Sequence, residues 1–363
     1  MIAPATQYPA GRASLLFLQG NGAGMPFSDS KYLAVGADDN SYRRILSNVR
    51  RQDDAATTLL SPDGTRVAYG DGDELVVVDL TTGERTYHPL PGASDATALA
   101  WSPDGRRIAY SEMPEWNDRG QARYPREWVE LELRTGKVQR HRVSQGVSAV
   151  AFAPDGRRAA TQDGNEIVIT GGPEEHRITG FWLAGPAAWA PSGDRLAVTE
   201  VAPTSESLAL GQLIFTDNGP EGRDYSLIME TRYVPPCPAL GQVRHPFLGW
   251  RGEHNANMVF VTCDRDQLAI GEWPFGEDSD RILVRFDDAY GDDERAVYDV
   301  QLASGLVASL TVREDNTPDY GPWPNGVRLL IASGVVVPVL LVAALVFWRR
   351  RRVVPRGRET AAT

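Results

Sequence analysis

"ALAWSPDGRRIAYS", residues 98–111, sets an apolar run against a proline-bearing turn and then against a second apolar run led by arginine. Its copies are "TTLLSPDGTRVAYG" at 57–70, "AVAFAPDGRRAATQ" at 149–162 and "AAWAPSGDRLAVTE" at 187–200. In each copy the proline (Pro62, Pro103, Pro154, Pro191) fixes φ at the first corner of a turn. The next residue, Asp63, Asp104, Asp155 or Ser192, can accept backbone hydrogen bonds there, and Gly64, Gly105, Gly156 or Gly193 supplies positive φ. The motif is therefore a hairpin reversal between two strands. A third strand follows at 74–80 ("ELVVVDL"), 128–133 ("WVELEL") and 166–170 ("EIVIT"). The first two continue through "TTGE" at 81–84 and "RTGK" at 134–137 into a fourth strand. Four antiparallel strands recurring every ~40 to 50 residues predict the blades of a propeller.

The "SPDGxRIAY" hairpins, clearest at Trp101–Tyr110, resemble the WD40-like propeller repeats of the TolB type. No Gly-His and Trp-Asp pair closes a blade, so a eukaryotic-style WD40 is the poorer fit. The resemblance implies an all-β propeller fold and does not specify a function, and it covers three blades well and a fourth, Trp189–Glu200, adequately. Innermost strands near 58, 98, 149, 186, 247 and 296 predict a six-bladed β-propeller, with seven blades as the alternative. The unit at 247–262 keeps Trp250 in place of Trp101, and 296–312 reads as the start of a further pair of strands. The segments 12–19, 31–37 and 41–46 are spare strands that would complete the last blade and close the ring, leaving no unpaired edge. Residues 112–127 and 201–246 read as insertions, where loops on a rigid scaffold carry recognition.

The predicted organisation is an N-terminal segment at 1–11, a propeller at 12–312, a proline-rich stalk at 313–328, a transmembrane helix at 329–348 and a basic tail at 349–363. The span "LLIASGVVVPVLLVAALVFW" is uncharged over 20 residues, long enough as a helix to cross a bilayer core of about 30 Å. Arg349, Arg350, Arg351 and Arg352 abut it, which predicts a cytoplasmic C-terminus and a propeller outside a single-pass cell-membrane protein. Export needs a leader, yet the first 20 residues have no basic region and no apolar run beyond Leu15–Leu18. The expectation is that the coding frame starts upstream. Arginines number 35 against two lysines, Lys31 and Lys137, which suggests a GC-rich, actinobacterial-like genome. Cys237 and Cys263, the only two cysteines, are permitted a disulfide by that location.

The net charge of −11, concentrated ahead of the basic tail, repels phosphate backbones and disfavours nucleic acid as a partner. No Gly-x-Ser-x-Gly elbow occurs, and His88, His141, His176, His245 and His254 do not pair at zinc-ligand spacing. No catalytic residue, cofactor or metal ligand is assigned. The acidic clusters at 70–74 and 287–294 offer oxygen ligands of the kind calcium takes, but neither has an EF-hand register. The first functional reading is a membrane-tethered scaffold that binds another protein or an envelope component. The alternative is a calcium-dependent hydrolase or lyase with carboxylates at the central channel.

Overall fold

The computed structural model describes residues 2–20, 31–47, 58–90, 96–112, 115–116, 122–200, 208–217, 223–234, 247–252, 257–264, 267–274, 281–286, 296–311, 319 and 321. The acidic cluster at 287–294, the apolar run at 329–348 and the basic tail at 349–363 lie outside these residues. Among the described residues no helix is long and apolar enough to cross a membrane.

Among the described residues, twenty-six strands build six four-stranded antiparallel sheets and one small hairpin. Strands β1 (Ala13–Gly20), β2 (Lys31–Gly36) and β3 (Tyr42–Ser47) open the chain and wait for a partner from its far end. The first complete blade is β4 (Leu59–Leu60), β5 (Arg66–Asp71), β6 (Glu74–Asp79) and β7 (Arg85–Pro89). In the second, β8 (Ala96–Trp101) and β9 (Arg107–Glu112) join β12 (Glu127–Glu132) and β13 (Val138–Arg142). The insertion at 112–127 carries the hairpin β10 (Glu115–Trp116) and β11 (Ala122–Arg123). The third blade is β14 (Val147–Phe152), β15 (Ala159–Asp163), β16 (Glu166–Thr170) and β17 (His176–Thr179). The fourth is β18 (Trp182–Leu183), β19 (Arg195–Thr199), β20 (Leu208–Asp217) and β21 (Arg223–Val234). The fifth is β22 (Phe247–Arg251), β23 (Asn257–Asp264), β24 (Gln267–Trp273) and β25 (Arg281–Arg285). Finally β26 (Ala296–Leu302) pairs with β1, so the sixth sheet runs β26, β1, β2, β3 and the two chain ends close the ring.

Burial follows radial position. The middle strand β6 is buried at all four central residues, because it is covered on both faces by neighbouring blades. The outermost strands β7 and β13 are exposed at all but one residue. First strands of adjacent blades, such as β8 with β14 and β26 with β4, lie against one another around the axis. Their inner ladders carry a recurrent bulge, between Ala98 and Ala100, Val147 and Ala149, and Phe247 and Gly249. Such bulges increase local twist, which a radial stack of sheets requires.

Three expectations are corrected. Residues 201–246 are not simply an insertion, because β20 and β21 complete the fourth blade within them. The segment 296–312 contributes one strand, not two, and continues into a single 3-10 turn at Val307–Ser309. The fourth blade's inner strand is shorter than the copy at 187–200 implies. Pro186 has no N–H to give the ladder, so pairing stops after Leu183 and resumes only at the single bridge between Trp189 and Leu196.

The repeated turns share one geometry. Gly64, Gly105, Gly156 and Gly193 donate their N–H to the carbonyls of Ser61, Ser102, Ala153 and Ala190 at 2.8 to 2.9 Å. Their φ values lie between +64° and +72°. Asp63 Oδ1 accepts the Ser61 hydroxyl at 2.6 Å and the Thr65 N–H at 3.1 Å, and Asp104 repeats the arrangement with Ser102 and Arg106. Gly64 has a further reason to lack a side chain: a Cβ there would sit 2.1 Å from the Ala13 carbonyl oxygen. That close approach is the first blade's turn meeting the start of β1, where Ala13 N donates to Gly64 O at 2.7 Å.

The chain's two ends also cover the outer edge of the sixth blade. Ala3 and Ala5 exchange backbone hydrogen bonds with Arg44 of β3 at 2.9 Å, and Gly11 N reaches Leu80 O at 3.0 Å. Asp319, placed by sequence in the stalk, forms a parallel bridge with Ser41 and accepts the Tyr42 N–H at 2.7 Å. Arg43 holds it there by donating to its carbonyl at 2.8 Å and to its carboxylate at 3.0 Å.

Candidate functional site

The arginine that follows each of the first three turns is an inter-blade clamp. Arg66, Arg107 and Arg158 place their guanidinium carbons 5.3, 5.3 and 5.0 Å from the ring centroids of Trp101, Phe152 and Trp189, each on the next blade. Arg107 and Arg158 also donate to the turn-glycine carbonyls of that blade, Gly156 at 2.6 Å and Gly193 at 3.0 Å. The aromatic rings reach back: Trp101 Nε1 donates to Leu59 O at 3.2 Å and Trp250 Nε1 to Ala188 O at 2.9 Å. Turn chemistry thus fixes the spacing between blades and makes the end of the propeller that carries these turns a rigid platform.

Near that platform the inner strands of several blades enclose a small cavity. Its volume is about 50 Å³, room for only a few waters, and it is lined by Leu59, Leu60, Trp101, Phe247, Leu248 and Val300 among others. No carboxylate is among the described residues that line it. Asp299 of β26 is turned into the seam, accepting Tyr32 Oη–H at 3.1 Å and Gln301 Nε2–H at 3.0 Å. Gln301 in turn donates to Thr58 O at 2.7 Å and accepts Leu60 N–H at 3.1 Å, tying the closing blade to the first. Among the described residues no three His, Cys, Asp or Glu side chains assemble into a metal-binding group.

The larger space is a groove of about 550 Å³ between the first and second blades. Arg66, Asp79, Glu84 and His88 line one wall and Arg106, Glu132 and Arg134 the other. Asp79, Glu84, Arg106, Glu132 and Arg134 sit at or beside the strand-one-to-two and strand-three-to-four turns, while Val77, Thr86 and His88 extend the wall along β6 and β7 toward the other end of the first blade. Burial pushes the Asp79 carboxyl up, but hydrogen bonds from the Thr81 hydroxyl and the Thr81 and Thr82 N–H groups outweigh it and hold the group below its ordinary range. Burial also pushes His88 down, keeping it neutral at pH 7. The result is a polar slot of small-ligand or peptide dimensions, with fixed cationic and anionic positions on opposite walls.

His141 stacks on Trp128 with ring centroids 3.9 Å apart, and His176 lies on the outer strand β17. His245 and His254 are outside the described residues. So is Cys237, while Cys263 pairs with Leu268 in the β23–β24 ladder. Of the acidic cluster at 70–74, Asp71 and Glu74 close the β5–β6 turn as backbone partners. The groove was not legible beforehand, because Arg106 and Arg134 read as ordinary turn residues until two blades set them opposite Asp79 and Glu84.

No protein-family model and no curated protein matches the chain. Solved structures do. TolB from Acinetobacter baumannii aligns over 80% of this chain and 67% of its own at 14% identity, with a TM-score of 0.49. A putative TolB from Agrobacterium tumefaciens aligns over 78% and 91% at 13% identity and 0.45. The β-propeller domain of the Trilobed protease from Pyrococcus furiosus aligns over 77% and 97% at 13% identity and 0.41. The propeller itself rests on the strand order above.

Proposed function

We propose that this chain is a membrane-tethered, single-pass, extracytoplasmic propeller that binds another protein or an envelope component in the groove between its first two blades. The observation that carries the reading is the charged slot of about 550 Å³ held between rigid blades. Arg66 in its wall is already braced over Trp101, so little side-chain entropy is lost on binding. The tether is the apolar run 329–348, and the basic residues Arg349–Arg352 hold the tail on the cytoplasmic side. A bridge between Cys237 and Cys263 belongs to the same reading, since an exported chain meets an oxidising compartment.

The test is site-specific photocrosslinking in native membranes, with the reactive residue at Thr86 inside the groove or at Asn165 at the far end of the third blade. A discrete adduct is expected from Thr86 alone, abolished by Arg106→Glu with Arg134→Glu. Identical adducts from both positions, or none from Thr86, would refute the groove as the binding site.

A further inference from the structure

The re-docking of the chain at Asp319 fixes which end of the propeller can face a membrane. Ser41 and Tyr42, its partners, close the turn between β2 and β3. That turn lies at the repeat-turn end of the molecule: Gly36 pairs with Ala13, Ala37 N donates to Arg12 O at 2.7 Å, and Ala13 N donates to Gly64 O. The N-terminal segment crosses the same end, through the bond from Gly11 to Leu80.

From Gly321 to Leu329, the first residue of the apolar run, are eight residue steps, whose fully extended reach is at most about 29 Å. Pro322 and Pro324 favour the polyproline conformation, which brings the reach nearer to 25 Å. Strand β3, six residues long, is about 20 Å from end to end. A chain that ran up the outside of the sixth blade to the opposite end would spend most of its reach on that climb. Leaving from the Ser41 end needs none of it.

We infer that the repeat-turn end of the propeller faces the bilayer, with the sixth blade nearest the surface, and that the end bearing the Asp71–Glu74 and Asp163–Glu166 turns points away from it. This rests on the proposed tether at 329–348. The part of the groove formed by Glu84, Arg106, Glu132 and Arg134 then lies at the end nearer the lipid surface, and His88 at the part farther from it. The Arg43–Asp319 pair is the positioning element, because it converts a flexible attachment into a defined exit point.

The experiment uses the full chain reconstituted into phosphatidylcholine vesicles. Flotation comes first: a chain that does not float with the vesicles refutes the tether, and the orientation with it. On floating protein, a fluorophore is placed at Thr82 or at Asp73, exposed positions at the two ends of β6 and about 20 Å apart. Attachment is through Thr82→Cys or Asp73→Cys with Cys237→Ser and Cys263→Ser, or through an unnatural residue with the natural cysteines kept. Headgroup-quencher lipid is expected to quench the Thr82 label at least about twofold more than the Asp73 label, given that separation. Equal or reversed quenching on chain that floats overturns the orientation and leaves the tether standing. Asp319→Ala, with an unchanged β-sheet circular dichroism spectrum, is expected to shrink the difference; an undiminished difference overturns the role given to the Arg43–Asp319 pair.

Discussion

Arg107→Ala should loosen the second blade from the third. Three interactions are lost together. The guanidinium leaves the Phe152 ring, which at 5.3 Å in a partly desolvated setting is worth about 1 kcal/mol. Its charge-assisted bond to Gly156 O at 2.6 Å contributes about 1.5 kcal/mol more. Glu130, 2.7 Å away with a side chain only 15% exposed, loses its nearest cation, at a cost of up to about 1 kcal/mol. The expected loss is therefore about 2 to 4 kcal/mol. Urea denaturation of the detergent-solubilised full chain, followed by tryptophan fluorescence, reads it as a fall in midpoint at constant slope. Arg157→Ala, exposed and one residue ahead of the third blade's clamp Arg158, is the control and should stay within about 0.5 kcal/mol of the parent. Arg107→Lys should recover part of the loss, since it keeps the charge but not the planar fork. If Arg107→Ala behaves like Arg157→Ala, the clamp is not what holds adjacent blades together.

Further outcomes follow from the same geometry. Gly64→Ala should lose at least about 1 kcal/mol more than Gly72→Ala in the same denaturation assay. Both have positive φ, but only at Gly64 does a Cβ meet backbone, the Ala13 carbonyl. Burial pushes the Asp63, Asp104, Asp155 and Asp163 carboxyls up, yet hydrogen bonds more than offset it and leave each below its ordinary value. Their stabilisation is therefore complete above the unfolded value of about 3.9 and is lost as pH falls through the folded values, so Asp163→Asn should flatten the acid limb of a stability–pH curve. Burial pushes His141 down despite nearby Glu130, so stability should begin to fall as pH drops below about 6.5, and His141→Phe, which keeps the stack on Trp128, should remove that part of the slope.

What could be read from the chain alone divides along the range of the interactions. The hairpins at Pro62, Pro103, Pro154 and Pro191 are written locally, because each turn is closed by a hydrogen bond between residues three apart. The fourth blade is harder. It keeps the repeat turn at Pro191, but Gly185–Pro186 interrupts its inner strand and no threonine-glycine turn joins β20 to β21. The seam is hardest of all. Closure depends on Tyr32 finding Asp299, 267 residues away, and on Arg43 finding Asp319, 276 away, and none of these four residues stands out in its local sequence. Alternation in 12–19, 31–37 and 41–46 marked spare strands and so a joint blade, but it could not mark the polar bonds that lock that blade to its neighbour. The same division explains the groove. Arg66 is visible as a repeat position, whereas Arg134 and Glu84 come to line one space only when two blades pack, so a charged groove can sit in a repeat protein without any motif of its own. The order of these findings also sets where mutations should act: changes in the turns weaken single blade contacts, while Asp299, Gln301 and Tyr32 act on closure, which every blade shares.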